Sequence, residues 1–227
     1  MSTPTTFTIR TKPLPPTDPP FILAAFDSAL PHLSRTGSAA QWGTEPRSTN
    51  PKFIARIRDL VDAAAREGGD AADAVFVAEV ELDDGEGGVD PEVAALARRD
   101  EGSGRMMLPV AAAITESAFP AYVSERPHLA AKVKTVVEGG EYIYLSVMVS
   151  DFRTGALRKG AGAALVRRVG GYAKEKGKRG VYADCWGGNG GGLVGFYEKH
   201  GFVVEDRFEV EKEGGEVWEG ALLRMDV

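Results

Sequence analysis

The feature that most constrains the fold is a buried strand that runs through a glycine-bearing turn into a helix and then into another strand. Residues Tyr142–Val149 (YIYLSVMV) are rich in aromatic and β-branched side chains, which predicts a strand inside a sheet. A helix is predicted over about 160–176, and Gly180–Cys185 (GVYADC) is predicted as the next strand. This succession requires a sheet covered by helices, so the sequence predicts an α/β (α+β) protein.

The remaining segments extend this pattern to the order β-α-α-β-β-β-α-β-α-β-β. Apolar residues at helical spacing predict a helix over 21–33, and Asn50 followed by Pro51 predicts the start of a second helix. The segment 125–140 is ambiguous. Further strands are predicted at Phe7–Arg10, Ala74–Val80, Leu108–Thr115, Val203–Val210 and Val217–Met225, with a Gly214-Gly215 turn between the last two.

Three regions of the chain have different expected roles. Residues 1–20 are rich in Thr and Pro, and we expect a flexible N-terminal segment that carries the first short strand. Residues 21–227 are expected to form a single domain. Residues 83–105 are acidic and glycine-rich and lie between two predicted strands, which predicts a surface insertion with a short helix near 91–98.

Bulk composition argues against several classes of protein. Hydrophobic residues make up 43% of the chain, and no apolar run approaches the ~20 residues that cross a bilayer, so no membrane partner is expected. The formal net charge of −6 disfavours nucleic acid as a partner. Cys185 is the single cysteine and the three histidines lie far apart, so neither a disulfide framework nor a metal site is expected. These features favour a cytoplasmic protein.

The helix that follows the Tyr142–Val149 strand opens with residues suited to a phosphate site. They read Arg158-Lys159-Gly160-Ala161-Gly162-Ala163. Amide groups at a helix start are unpaired and carry partial positive charge, and glycine lets a pyrophosphate approach the backbone. Between Arg153 and Arg179 the chain has nine Lys or Arg residues against one acid, Glu175. The stretch predicts either a solvated basic helix face or a site for a small polyanion.

Three kinds of phosphate site compete for this stretch. A Walker-type loop requires Gly-Lys-Ser/Thr, which the chain lacks. A dinucleotide-binding fold would use Gly160 and Gly162, with Asp184 near the place of its ribose-binding acid. However, Leu165 replaces the third small residue, and only 65 residues follow Gly162, too few for the rest of such a fold. The third kind of site is suggested by a family resemblance.

The stretch 142–202 resembles the GNAT superfamily of N-acetyltransferases. The family pattern is a strand, Gln/Arg-x-x-Gly-x-Gly/Ala and a helix, followed by an Asn, a short helix bearing a Tyr, and Gly-Phe. Here these positions are Leu157–Gly162, Asn189, Tyr197 and Gly201-Phe202, and the order of elements along the chain is also similar. The chain departs from the pattern at Leu157, where the family has Gln or Arg, and in a longer turn between Val149 and Arg158.

The resemblance implies a central, mixed, mostly antiparallel sheet flanked by helices, with acetyl-CoA as co-substrate and no metal. The strand at Val147–Val149 would splay from its neighbour, so that its backbone holds the pantetheine arm and the thioester carbonyl. The basic helix face would bind the remaining phosphate of the cofactor, and Asn189 would contact the cofactor arm or orient its loop. The implied cofactor-binding residues are Val147, Met148, Val149, Arg158, Lys159, Gly160, Ala161, Gly162, Ala163 and Asn189.

Two side chains match the family's catalytic positions. Attack requires a neutral amine, and Asp184, at the end of its predicted strand, matches a carboxylate base; its alternative is a structural acid. Tyr197 matches the acid that protonates the thiolate leaving group; its alternative is a core tyrosine. Cys185 as a nucleophile is disfavoured, since no histidine is near it in the sequence. Trp42 and Trp186 are candidates for the acceptor pocket, with core packing as the alternative.

The resemblance therefore predicts an N-acetyltransferase that moves an acetyl group from acetyl-CoA to a primary amine of a small molecule or peptide by direct transfer in a ternary complex. A non-catalytic acyl-CoA-binding or sensor module of the same fold is the alternative, and transfer to a hydroxyl is a variant. No pattern in the first helices, the loop 36–50 or the segment 126–140 names the acceptor. A homodimer is one option for the oligomeric state.

Overall fold

The computed structural model describes residues 5–66, 68, 70, 72–82, 90–212 and 215–227. Its helices are α1 (Asp18–Arg35), α2 (Pro51–Ala65), α3 (Pro91–Ala94), α4 (Ala121–Ser124), α5 (Ala130–Gly139), α6 (Ala161–Glu175) and α7 (Gly192–Lys199). Its strands are β1 (Thr8–Arg10), β2 (Ala74–Glu81), β3 (Arg98–Arg99), β4 (Met106–Glu116), β5 (Tyr142–Ser150), β6 (Gly180–Trp186), β7 (Val203–Glu211) and β8 (Val217–Asp226). None of the helices in these ranges combines the length and the hydropathy needed to cross a bilayer.

The strands form one open sheet in the order β1-β2-β4-β5-β6-β8-β7, with β3 beside β4. The pair β5–β6 is parallel and the other described pairs are antiparallel. Helix α6 supplies the crossover that a parallel pair requires. The predicted mixed, mostly antiparallel sheet is therefore confirmed.

Helices cover both faces of the sheet. Side chains of β2 alternate between the faces, because successive residues of a strand point to opposite sides. Val75 and Val77 pack in a core with residues of α1 and α2, whereas Phe76 packs in a second core with residues of α6 and α7. A third cluster around Phe119 and Tyr144 lies beside α4 and α5. The sheet is thus the middle layer of three.

The helices confirm part of the sequence prediction and extend it. The side chain of Asn50 accepts hydrogen bonds from the amides of Lys52 (3.0 Å) and Phe53 (3.1 Å), so the predicted cap of α2 is confirmed. The predicted order omitted α4, which comes just before the ambiguous segment 125–140, and α5, which lies within it. Helix α4 has four residues, and α5 has one buried side chain, Val133, so neither gives a strong helical pattern in the sequence.

The described parts of the N-terminal segment and of the insertion both pack into the sheet. Arg10 in β1 binds Asp18 at 2.7 Å and the buried Glu79 of β2 at 3.0 Å. Arg98 in β3 binds the other oxygen of Glu79 at 2.7 Å. The segment 1–20 is thus built into the domain from β1 onward, and α1 begins at Asp18 rather than at 21. Residues 1–4, 83–89 and 213–214, which belong to the predicted N-terminal segment, insertion and Gly214-Gly215 turn, lie outside the described residues.

Candidate active site

An opening in the sheet separates the carboxyl-terminal parts of β5 and β6. The parallel pairing runs from Tyr142 opposite Gly180 to Leu145 opposite Ala183 and then stops. Ser146 is an additional residue in β5 relative to β4, which makes a bulge at the point where the pairing with β6 ends. The backbone groups of 146–150 on the β6 side are therefore free for a ligand, as the family resemblance implied.

A cavity of about 910 Å³ lies at this opening. The lining combines residues of β5 and β6 with residues of α1, α6 and α7. Two predicted site residues lie outside the lining. They are Ala161, the buried first residue of α6, and Asn189. The predicted site residues that line the cavity are Trp42, Val147, Met148, Val149, Arg158, Lys159, Gly160, Gly162, Ala163, Asp184, Trp186 and Tyr197.

The first turn of α6 is held at the cavity by a short irregular helix. Residues Phe152–Arg158 form a 3-10 turn that starts at the buried Asp151, whose carboxylate accepts from the amide of Arg153 at 3.0 Å. Gly160 then caps α6 with a φ of +91°, a conformation that favours glycine. The amides that follow have no acceptor within the helix, so they are available to an anion in the cavity.

Arg158 is the charged side chain best placed to add to these amides. Its guanidinium lies 3.7 Å from the centre of the Phe152 ring, and its Nε is buried without a hydrogen-bond partner among the described residues. Burial lowers the pKa of Arg158, but arginine keeps its charge at any pH that a protein meets. Because Arg158 lines the cavity and carries a full positive charge, it fits the pyrophosphate of acetyl-CoA.

Tyr197 projects from α7 into the same cavity. Its ring packs between Phe196 and Phe202, with centroids at 5.4 and 5.2 Å. No described residue makes a hydrogen bond to its hydroxyl, although the side chain is only 6% exposed. Burial raises the pKa of Tyr197, so the hydroxyl stays protonated at neutral pH. The ring packs in the core, and the hydroxyl is free to donate a proton in the cavity.

Asp184 lies where β6 leaves β5, and two tyrosines bind its carboxylate. The hydroxyl of Tyr122 donates to both oxygens at 3.1 Å, and that of Tyr144 makes a short hydrogen bond to Oδ1. Burial raises the pKa of Asp184, and the two hydrogen bonds act in the opposite direction. The result is a fixed carboxylate that is a better proton acceptor than an ordinary aspartate.

Sequence reasoning missed both tyrosines. Tyr144 lies within the strongest strand signal, where it reads as a core residue, and it is indeed fully buried. Tyr122 lies in α4, a helix of four residues with no periodicity to detect. The sequence could have indicated Tyr144, because β5 and β6 were both predicted as strands. In their pairing Tyr144 lies opposite Tyr182, which is two residues from Asp184. No comparable signal existed for Tyr122.

No protein-family model and no curated protein sequence matches the chain. A proposed acetyltransferase from Salmonella typhimurium, solved with its cofactor acetyl-CoA, is similar at a TM-score of 0.55 and 16% identity, over 97% of this chain and 93% of that chain. An N-acetyltransferase from Staphylococcus aureus is similar at 0.55 and 16%, over 98% and 99%. A GNAT-family acetyltransferase from Listeria monocytogenes is similar at 0.55 and 14%, over 97% and 95%.

The chain has the GNAT fold. At this level of identity the likeness concerns the path of the backbone and not the activity. It confirms the fold that the Leu157–Gly162 motif and the element order predicted from the sequence. The roles of individual site residues stay predictions, which the geometry of this chain supports or weakens one by one.

Asn189 has a structural position in this version of the GNAT fold. Its side-chain amide donates to the carbonyl of Thr36 and to the hydroxyl of Ser38, both at 2.8 Å. These bonds attach the loop before α7 to the loop after α1. The geometry favours the loop-orienting role over contact with the cofactor arm, because both amide hydrogens are engaged.

The predicted basic helix face contributes less to the cavity than its charge suggested. Of the nine basic residues from Arg153 to Arg179, Arg158 and Lys159 line the cavity. Three others bind acids instead, in the ion pairs Arg153–Asp151 (2.6 Å), Arg168–Glu175 (3.1 Å) and Arg179–Glu141 (3.4 Å). The stretch 153–179 is therefore partly neutralised, and its positive charge in the cavity is concentrated just before α6.

Cys185 and the two tryptophans also line the cavity. Burial raises the pKa of the Cys185 thiol to about 12, which leaves almost no thiolate at neutral pH and weakens its case as a nucleophile. Trp42 packs edge-on against Phe26 with centroids 4.6 Å apart, and Trp186 is 8% exposed. Both tryptophans pack against the core and also line the cavity. The geometry is therefore compatible with both roles predicted from the sequence, core packing and the acceptor pocket.

Gly160→Ala tests the turn at the start of α6. Alanine at a φ of +91° is strained by about 1–2 kcal/mol, so the turn should shift and aim the amides of α6 differently. We expect acetyl-CoA to bind on the order of tenfold more weakly. Calorimetric titration measures this, and Gly177→Ala is the matched control. Gly177 has a φ of +67° and lies outside the cavity lining, so its variant should lose stability without losing affinity. Equal affinity for the two variants would contradict a role of this turn in binding.

Proposed function

We propose that the chain is an acyl-CoA-dependent N-acetyltransferase that transfers an acetyl group from acetyl-CoA to a primary amine. The observation that carries the proposal is the presence of three features in one cavity. They are the free edge of β5, the first turn of α6, and the pair Asp184 and Tyr197. A thioester arm, a pyrophosphate and a proton-transfer pair each require one of these features.

The donor side of the site binds by its backbone and by Arg158. The amides at the start of α6 and the Arg158 guanidinium face a pyrophosphate with partial and full positive charge. The free edge at Val147–Val149 offers hydrogen-bonding groups to the pantetheine amides, as an unpaired strand edge does. An amide of this edge directed at the thioester carbonyl would stabilise the negative charge that develops on its oxygen.

Asp184 and Tyr197 divide the proton transfers between them. Asp184 accepts a proton from the ammonium of the acceptor, directly or through water, and so releases the lone pair of the nitrogen. The nitrogen then bonds to the acyl carbon as the carbon–sulfur bond breaks, and it releases its second proton to solvent to give the neutral amide. Tyr197 donates its hydroxyl proton to the departing sulfur, and solvent restores that proton. The acetyl group passes to the amine without a covalent enzyme intermediate, consistent with the protonated Cys185.

Thermal unfolding with and without acetyl-CoA tests the donor site. A ligand at 100 times its dissociation constant adds about 2.7 kcal/mol to the free energy of unfolding, or about 5–10 °C for a chain of this size. We expect this rise with acetyl-CoA and not with NAD or ATP. An equal rise with NAD, or no rise with acetyl-CoA, would contradict the acyl-CoA site at Gly160 and Gly162.

Release of CoA then separates an enzyme from a binding module. The enzyme should release CoA from acetyl-CoA when amines are added. The alternative, a non-catalytic acyl-CoA-binding module of the same fold, is suggested by Leu157 at the usual Gln/Arg position and predicts tight binding with no release. The amine acceptor, a homodimer and a cytoplasmic location stay predictions of the sequence.

A further inference from the structure

One wall of the cavity is built mainly from aromatic rings that lie outside β5 and α6. We call it the aromatic wall. Its segments are α1, the loop after α1, α4 and the β7–β8 hairpin. The wall consists of Phe26, Gln41, Trp42, Tyr122, Lys212 and Trp218.

The aromatic wall begins at the proposed base. Tyr122 donates its hydroxyl to Asp184, and its ring lies edge-on to Trp218 with centroids 6.4 Å apart. Tyr122 lines the cavity and is 42% exposed, so much of its ring surface is not covered by other protein atoms. Uncovered aromatic surface beside a carboxylate suits a ligand with an ammonium at one end and an apolar body at the other.

Hydrogen bonds fix the loop 36–43 across this part of the cavity. The indole Nε1 of Trp218 donates to the carbonyl of Gln41 at 3.3 Å, and Nζ of Lys212 donates to the carbonyl of Ala40 at 2.9 Å. Asn189 holds the beginning of the same loop through Thr36. The β7–β8 hairpin and the loop before α7 therefore hold Trp42 in place. A wall fixed in this way binds a rigid ring at a small entropic cost.

The charges on the cavity lining limit the acceptor further. Asp184 is the sole acid among the described lining residues, and Lys212 is the one charged residue of the aromatic wall. A polyamine would bring a second ammonium to a wall whose only charge is positive. An acceptor with a single ammonium matches the one carboxylate, and a carboxylate beside that ammonium would be repelled by Asp184. The four rings match an apolar aromatic body.

We propose that the acceptor is an arylalkylamine, a primary monoamine joined to an aromatic ring by a short alkyl chain. The proposal rests on the proposed function, since it names the acceptor of that same site. The ammonium lies at Asp184, where it can be deprotonated. The aromatic body packs against Tyr122, Trp42 and Trp218, and displaces water from their faces.

A panel of amines at saturating acetyl-CoA tests the proposal. We expect kcat/KM for phenethylamine and tryptamine to exceed that for propylamine and spermidine by roughly tenfold or more, as one or two additional aromatic contacts allow. Phenylalanine, with a carboxylate beside its amine, should be poorer than phenethylamine. Equal or faster transfer to propylamine, spermidine or phenylalanine would overturn the aromatic monoamine and leave the proposed function standing. No CoA release with any amine would overturn both.

Variants of Trp218 locate the preference on the aromatic wall. Trp218→Leu should raise KM for phenethylamine roughly tenfold while KM for propylamine changes less than twofold. Trp218→Phe keeps a ring and should retain most of the preference, which separates ring contact from loss of fold. The matched control is Val217→Ala, an exposed neighbour on the opposite side of β8, which should behave as wild type. A uniform loss with both amines in both Trp218 variants would overturn the proposal.

Discussion

Replacing Tyr197 with phenylalanine is expected to lower turnover by about 10²–10⁴-fold, the usual contribution of a general acid. The substitution removes one oxygen atom that has no partner among the described residues, so no hydrogen bond of the fold is lost with it. Burial raises the pKa of Tyr197, which keeps the proton available for a thiolate at neutral pH. The affinity for acetyl-CoA should change little, because the ring and its packing remain. Steady-state CoA release and calorimetric titration measure the two quantities.

A neighbouring residue provides the control for this variant. Cys185 lines the same cavity as Tyr197. Cys185→Ala also removes one polar atom, but it should retain most of the turnover, since a thiol with a pKa of about 12 is not a nucleophile at neutral pH. If the phenylalanine variant turned over every amine at the wild-type rate, Tyr197 would be a core tyrosine only. If the alanine variant lost all activity, an acyl-enzyme would replace direct transfer.

The fold was predictable wherever local signals were strong. The β5 strand, the cap at Asn50 and the helix after Gly160 each gave a signal within a few residues. The short strand at the N-terminus was predicted, but its attachment to the sheet depends on Arg10, which binds Glu79 across 69 positions of sequence. No local pattern reports such a pair. The same limit applies to α4 and α5, whose form depends on packing against the sheet rather than on their own periodicity.

The candidate site divides in the same way. The turn proposed to bind phosphate is one continuous stretch, so its residues could be proposed from the sequence. The environment of Asp184 could not, because Tyr122 and Tyr144 approach it from positions 62 and 40 residues away. Of the rings in the aromatic wall, the sequence indicated Trp42 as a pocket residue and not the others, because these rings come from distant parts of the chain. Trp218 reaches the cavity through a hairpin pairing that the sequence predicted without indicating which face of the sheet it would use.

Replacing Asp184 with asparagine is expected to lower turnover by about 10²–10⁴-fold. Burial raises the pKa of Asp184, against the hydrogen bonds of Tyr144 and Tyr122. A carboxylate with a raised pKa is a stronger base, and it loses its proton at a higher pH than an ordinary aspartate. The kcat/KM of the wild type should therefore rise with pH through that pKa, and the asparagine variant should lack this rise. A pH profile of both proteins with one amine measures the difference.

The stability of the same variant distinguishes a base from a structural acid. Because the pKa of Asp184 is raised in the folded state, its stabilising contribution is complete below the unfolded pKa and is lost as pH increases through the folded pKa. Asparagine is neutral at every pH, and its Oδ1 can still accept from both tyrosines, as Oδ1 of Asp184 does. The melting temperature at neutral pH should thus stay equal or increase while turnover falls. A parallel loss of stability and turnover would assign Asp184 a structural role.

Tyr144→Phe is the matched control, because it removes a partner of the carboxylate and keeps the carboxylate itself. The hydrogen bond from Tyr144 lowers the pKa of Asp184, so its loss should raise that pKa and move the acidic limb of the pH profile to higher pH. Turnover above the limb should remain substantial, since the base is still present. A base at Asp184 predicts both results together: a limb that moves in the phenylalanine variant and disappears in the asparagine variant. An unmoved limb in both would place the titrating base on another residue.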